Sequence, residues 1–215
     1  MGHFRDRRAF GNVNGRRFRG ARYGDGKSPR FTGLLDLYGG ASAAYSLRAL
    51  SRGWLAGDVV EVRRSSDSAT ADFTASQVSG GALATWVGAG NDGYVTTWYD
   101  QSGNANNATQ ATTTSQPKIV DAGSLVTGGL DFDGVDDWLE TASAPMSVDE
   151  LVSVYSVATF TTTTGRHRLV SDFFNTGSGF TGFDVQIGAG GSALDFVGYG
   201  DGTVTLQRQA GVSDI

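Results

Sequence analysis

The residues best equipped for chemistry lie in two short stretches, WYDQSGNANN at 98–107 and DFDGVDD at 131–137. In the first, Trp98 and Tyr99 end a run of β-branched and aromatic residues, where a ring either packs the sheet or stacks on a sugar. Asp100, Gln101, Ser102 and Asn104 either hydrogen-bond sugar hydroxyls or close a turn around Gly103, and turn closure is the commoner use of Asx and Ser side chains. Trp98, Tyr99, Asp100, Gln101 and Asn104 are thus a candidate glycan-binding set and, equally, a candidate turn.

In the second stretch Asp131, Asp133, Asp136 and Asp137 are hard oxygen donors of the kind calcium takes. An EF-hand loop, however, needs a donor at its fifth position and a glutamate at its twelfth, and here those positions are Val135 and Ala142. Strand alternation sends Asp131 and Asp133 to one face with Phe132 opposite, which a hairpin rim explains without an ion. No cofactor is expected from these residues, calcium being the ion they would suit.

Other chemistries find less support. The chain has no cysteine, which excludes disulfides and thiolate metal sites. Its two histidines, His3 and His167, stand among arginines and away from any serine motif, so a nucleophilic triad is not indicated. GAGG at 188–191 lacks the lysine and the following helix of a phosphate loop. No segment approaches the roughly 20 apolar residues of a membrane helix, and the start lacks the apolar stretch of a secretory signal.

Charge divides the chain. Of its 17 basic residues nine lie in 1–30 beside two acidic ones, leaving eight basic against twenty acidic in the rest. The basic segment interleaves guanidinium forks with single aromatics: Arg5, Arg7, Arg8, Phe10, Arg16, Arg17, Phe18, Arg19 and Arg22 form a candidate partner-binding set. It has too little apolar surface to fold alone and is expected to order only on docking. Such forks suit either nucleic-acid phosphates or protein carboxylates. The acidic remainder would repel a polyanion, which favours a protein partner over nucleic acid. Residues 1–32 are therefore expected to be an extended anchoring arm and 33–215 one domain.

The elements that must position the candidate residues are mostly strands. VVEVRRSS (59–66) and YVTTWYD (94–100) read as strands, ATADFTA (69–75) as an edge or a loop, and ALATWVGAG (82–90) as a helical turn stopped by glycine. LLDLYGGASAAYSLRALS (34–51) is expected to hold a short helix with SLRAL at its centre. LDFDG and WLET (130–141) read as two strands joined by GVDD, and LVSVYSVATF (151–160) as a strand of ten residues. RHRLVSDF, GFDVQIG, ALDFVGY and TVTLQRQ then follow at roughly ten-residue spacing with glycine between them, the rhythm of an antiparallel sandwich. The sandwich is expected to need further strands beyond the last of these.

Two resemblances follow from these residues. RALSRGWLAGDVVEVRRSSDSATADF (48–73) with YVTTWYDQSGNANNATQ (94–110) resembles the opening half of the arabinofuranosidase B catalytic domain, over residues 34–120 or so. LDFDGVDDWLET (130–141) resembles the first strand pair of laminin-G-like, concanavalin A-like domains. Both imply a mainly β, jelly-roll antiparallel β-sandwich with one or two short helices. The first also implies a glycosidase, which needs two carboxyl groups across the sugar. In that family they lie in the later half of the domain, where Asp172, Asp184 and Asp195 stand without a motif, and the family's cysteines near the sugar pocket are absent. No catalytic residue is assigned.

Sequences that join a short N-terminal anchor to such a sandwich resemble accessory structural proteins of tailed bacteriophages. That resemblance implies a virion protein made in the host cytoplasm, a homo-oligomer held to other virion proteins by its arm. It would serve as a tail fibre, baseplate part or other appendage whose sandwich touches host surface glycans. Two further readings stand beside it: a glycoside hydrolase of the arabinofuranosidase type, and a ligand-free capsid cement.

Overall fold

The computed structural model describes residues 31–143, 153–160, 167–175, 180–187, 193–200 and 203–210. By its internal contacts the chain divides into two units, Met1–Phe31 and Thr32–Ile215. The second unit is mainly β, antiparallel, with a few short helices, the architecture of the expected sandwich class.

The first sheet is built on β1 (Asp58–Arg64), whose neighbours are β2 (Thr70–Thr74) and β3 (Gly93–Trp98), both antiparallel to it. The other edge of β3 is shared. β4 (Ala108–Thr109) pairs with its end at Thr97 and Trp98, and β5 (Lys118–Asp121) with its start at Gly93 and Tyr94. β6 (Ser124–Leu125) then pairs with β5, and β7 (Glu140–Thr141) with β4.

β-branched residues explain why this sheet forms where it does. Val60 and Val62 of β1 face Phe73 and Ala71 of β2 on one side, and Val62 faces Val95 of β3 on the other. Ile119 and Val120 complete the buried surface. It is covered by α2 (Ala75–Ser79) and α3 (Ala82–Val87), which contribute Val78, Leu83 and Val87 to the same core. Burying each such side chain contributes about 1.5–3 kcal/mol.

The helix starts are local in origin. β2 runs straight into α2 through Thr74, whose hydroxyl accepts the Gln77 amide at 3.4 Å while Gln77 Oε1 accepts the Thr74 amide at 2.8 Å. This reciprocal cap is worth about 1 kcal/mol. At Gly93 a Cβ would stand 3.0 Å from Val87 and 3.1 Å from both Val62 and Val120, so helix and sheet pack tightly over this glycine.

The second sheet is an antiparallel meander of β8 (His167–Asn175), β9 (Phe180–Ile187), β10 (Ala193–Gly200) and β11 (Thr203–Ala210). The four strands expected from glycine-spaced apolar runs are these four. Val185 and Gln186, adjacent in β9, are both buried.

Three expected elements differ. The SLRAL helix does not form; the four-residue α1 (Leu34–Leu37) stands earlier in that segment, and 45–50 is irregular because a distant side chain claims its backbone. LDFDG and WLET do not pair with each other: Asp131 bridges Lys118 and β7 pairs with β4. Of the expected strand 151–160, residues 153–160 are described and have no regular structure; Tyr155 and Val157 are fully solvent-exposed there. Alternation makes a strand only where a neighbouring strand pairs with it and buries one face, and the exposed Tyr155 and Val157 show no such buried face.

Candidate functional site

β3 delivers Trp98 and Tyr99 to its end, and the chain then turns through 100–107 against the irregular segment 41–50. Asp100 is the pivot, 2 % exposed. One carboxylate oxygen accepts the Ala44 amide at 2.8 Å and the Ser102 amide at 2.8 Å; the other accepts the Ser102 hydroxyl at 2.7 Å and the Asn106 amide at 3.0 Å. Burial alone would raise the Asp100 carboxyl, but the bonds from Ser102, Ala44 and Asn106 outweigh it and hold the group below the ordinary aspartate range.

Gln101 works on the neighbouring turn of the same segment. Its Nε2 donates to the Ser46 carbonyl at 2.8 Å and the Arg48 carbonyl at 3.0 Å, and its Oε1 accepts the Leu50 amide at 2.8 Å. These three bonds hold 46–50 in place of helical bonds. Asn104 Nδ2 donates to the carbonyls of Ala41 and Ser42 at 3.0 and 3.1 Å, and Asn106 Nδ2 to Ser42 at 2.8 Å. The Asn107 side chain accepts the Asp100 amide at 3.0 Å, and the Tyr45 hydroxyl donates to the Asn106 carbonyl. Burial, then the Asp100 charge, pushes the Tyr45 phenol up to about 12.

The aromatic pair divides its roles. Trp98 packs its half-buried ring 5.6 Å from Tyr45 and against the valine core, and its buried indole N–H has no hydrogen-bond partner among the described residues. Tyr99 turns the other way and donates its hydroxyl to Asp72 at 2.6 Å; burial and that bond raise the phenol.

The structure therefore brings Trp98, Tyr99, Asp100, Gln101 and Asn104 together on one loop. It commits the polar groups of Asp100, Gln101 and Asn104 to backbone of the same chain. The turn around Gly103, at φ +95°, is visible in the Ser102-to-Asp100 bond. Tyr45, Asn106, Asn107 and the whole 41–50 strap escaped sequence reasoning, since nothing local in the sequence ties positions more than fifty residues apart.

Among the described residues Asp133, Asp136 and Asp137 gather closely enough to share a cation, with oxygens within 4.8 Å of one another. Asp131 stands outside this group, in its bridge to Lys118. The group also closes its own turn: Asp133 Oδ1 accepts the Val135 and Asp136 amides at 2.8 and 3.2 Å, and Asp137 accepts the Asp133 amide at 2.9 Å. Burial is the main influence that raises the Asp137 carboxyl, aided by the neighbouring aspartates.

The opposite face of β1 carries a polar set that the sequence reading missed, although VEVRR alternation signals it. Glu61 accepts the hydroxyls of Thr96 and Thr97, and Arg63 lies beside Tyr94 and Gln116. Farther along, Asp172, Asp184 and Asp195 sit on β8, β9 and β10. Asp184 pairs with Val197 and Asp195 with Gln186, so these two are diagonal neighbours across β9 and β10, while Asp172 pairs with Phe183. The arm set from Arg5 to Arg22 lies outside the described residues.

A family model of the catalytic domain of alpha-L-arabinofuranosidase B matches residues 36–177. The chain belongs to that family. The match runs from α1 through β8, so it takes in the Asp100 loop, the Asp133 turn and Asp172, and ends before Asp184 and Asp195. No curated protein and no solved structure matches the chain. Within this arabinofuranosidase-type domain the polar side chains of the WYDQSGN stretch form a clasp on the backbone of 41–50. No helix among the described residues is long and apolar enough to cross a membrane.

Proposed function

We propose that the chain is a glycan-recognising member of the arabinofuranosidase B catalytic family, carried on a tailed-phage virion as a tail fibre, baseplate part or similar appendage. Residues 1–32 moor it to other virion proteins, and the sandwich faces host surface glycans. The observation that carries the glycan part is the family match over 36–177, which supports a scaffold evolved around sugars. The charge split supports the mooring: nine basic residues within the first thirty, ahead of an acidic domain, suit an arm that pairs with carboxylates of a partner. Deleting residues 2–30 tests it. Loss of incorporation into particles with an unchanged thermal transition of the domain supports the mooring, and full incorporation overturns it.

A hydrolase is the second reading, favoured by the same match to a catalytic domain. A retaining or inverting glycosidase would place two carboxyl groups across the scissile bond. Release of aryl alcohol from a pentofuranosyl aryl glycoside, lost on substitution of Asp172, Asp184 or Asp195, would establish it over recognition alone.

A further inference from the structure

Arg63 projects from β1 on the side opposite Val60 and Val62. Its guanidinium lies 4.9 Å from the centroid of the Tyr94 ring. Nε donates to Gln116 Oε1 at 2.8 Å and Nη2 to the Thr113 carbonyl at 3.4 Å. Gln116 is 4 % exposed, and its own amide donates to the Gln110 carbonyl at 2.9 Å, so the group that orients Arg63 is itself fixed.

All these partners are neutral. Arg64, next in the chain, pairs with Asp67 at 2.7 Å, and Lys118 pairs with Asp92 and Asp121 at 3.2 and 2.8 Å. Among the described residues no carboxylate pairs with Arg63. A half-buried cation held without a counter-ion retains its desolvation cost, and an incoming anion supplies the missing compensation. The bonds in place use Nε and one N–H of Nη2. Of the five guanidinium donors three are left, both of those on Nη1 among them, and they can bond the two oxygens of a planar anion.

The surroundings select the anion. Glu61 stands two residues away on the same side of the strand, and the chain after residue 30 holds twenty acidic against eight basic groups. A multiply charged phosphate meets more repulsion there than a planar monoanion does. The geometry points to Arg63 as the binding group for the carboxylate of an acidic sugar, a uronate unit of the recognised glycan. This inference rests on the glycan reading above and specifies one chemical group of its ligand.

Calorimetric titration of the full chain tests it with tetragalacturonate, the carboxyl-reduced neutral tetrasaccharide, and inorganic phosphate. The proteins compared are the wild type, Arg63→Met and Arg63→Lys. Tetragalacturonate is expected to bind the wild type, to weaken at least tenfold in Arg63→Met and severalfold in Arg63→Lys, with phosphate failing to compete. Arg63→Lys keeps the charge and removes the fork, so it decides the matter if Arg63→Met does not fold. Equal uronate affinity in all three proteins overturns the inference, as does phosphate competing as well as the uronate. Binding of the neutral tetrasaccharide without uronate binding overturns the inference and leaves the glycan reading standing. Failure of every sugar, neutral or acidic, overturns both.

Discussion

The Asp100 carboxylate accepts the Ala44 amide at 2.8 Å, joining residues 56 positions apart. Through that bond the end of β3 holds the strap 41–50, while the three other bonds on the same carboxylate, from Ser102 and Asn106, close the loop 100–107 around it. Asp100→Asn replaces one acceptor oxygen by a donor that faces other donors, leaving buried amides unsatisfied. Urea unfolding should show a loss of about 2–3 kcal/mol with an unchanged slope. A loss within 0.5 kcal/mol, the range of an ordinary surface substitution, would mean the clasp does not hold the strap.

The same carboxylate sets an acid limit. Its folded pKa lies below the unfolded value of about 3.9, so its contribution is fully present above that value and is lost as pH falls through the folded pKa. Asp92, held down chiefly by the Ala122 amide, acts with the same sign, whereas Asp58 and Asp137, raised by burial, act oppositely. Comparing wild type with Asp100→Asn isolates the effect. The stability difference between them should shrink steadily below about pH 4, and a difference independent of pH would refute the assignment.

Gln101→Glu reverses the sign. A carboxylate there would face the Ser46 and Arg48 carbonyls that now receive the amide protons. Protonation relieves that repulsion, so the variant should lose about 3 kcal/mol at pH 7 and noticeably less at pH 5. Denaturant midpoints at the two pH values read this directly.

Gly93→Ala tests the packing of α3 on the sheet. A methyl group 3.0 Å from Val87 and 3.1 Å from Val62 and Val120 must displace branched side chains on three elements. Overpacking of this kind costs about 1–3 kcal/mol, to be seen as a lowered melting temperature. A raised one would mean the contact relaxes freely.

The strands were legible wherever a short-range pattern matched a buried face. VVEVRR alternates because its valines meet Phe73 and Val95, and the four glycine-spaced runs after residue 166 are the four strands of one meander. SLRAL misled because helix propensity is weak beside three hydrogen bonds from a buried Gln101. WYDQSGN displayed the right residue types for turn closure, but its bonds to Ala41, Ala44 and Ser46 join chain-distant backbone that no local pattern announces. Arg63 was overlooked for a related reason: its interest lies in the lack of an anionic partner, which only the folded arrangement of Tyr94, Gln116 and Thr113 displays.

Recognition of glycan by an arabinofuranosidase-type domain shows itself as binding without turnover. The direct measurement incubates the full chain with immobilised neutral and acidic polysaccharides, and follows retention of the protein and release of sugar into solution together. Retention on at least one polysaccharide with no sugar released is the expected result. Release of sugar from the retaining polysaccharide, or absence of retention on all of them, would contradict it.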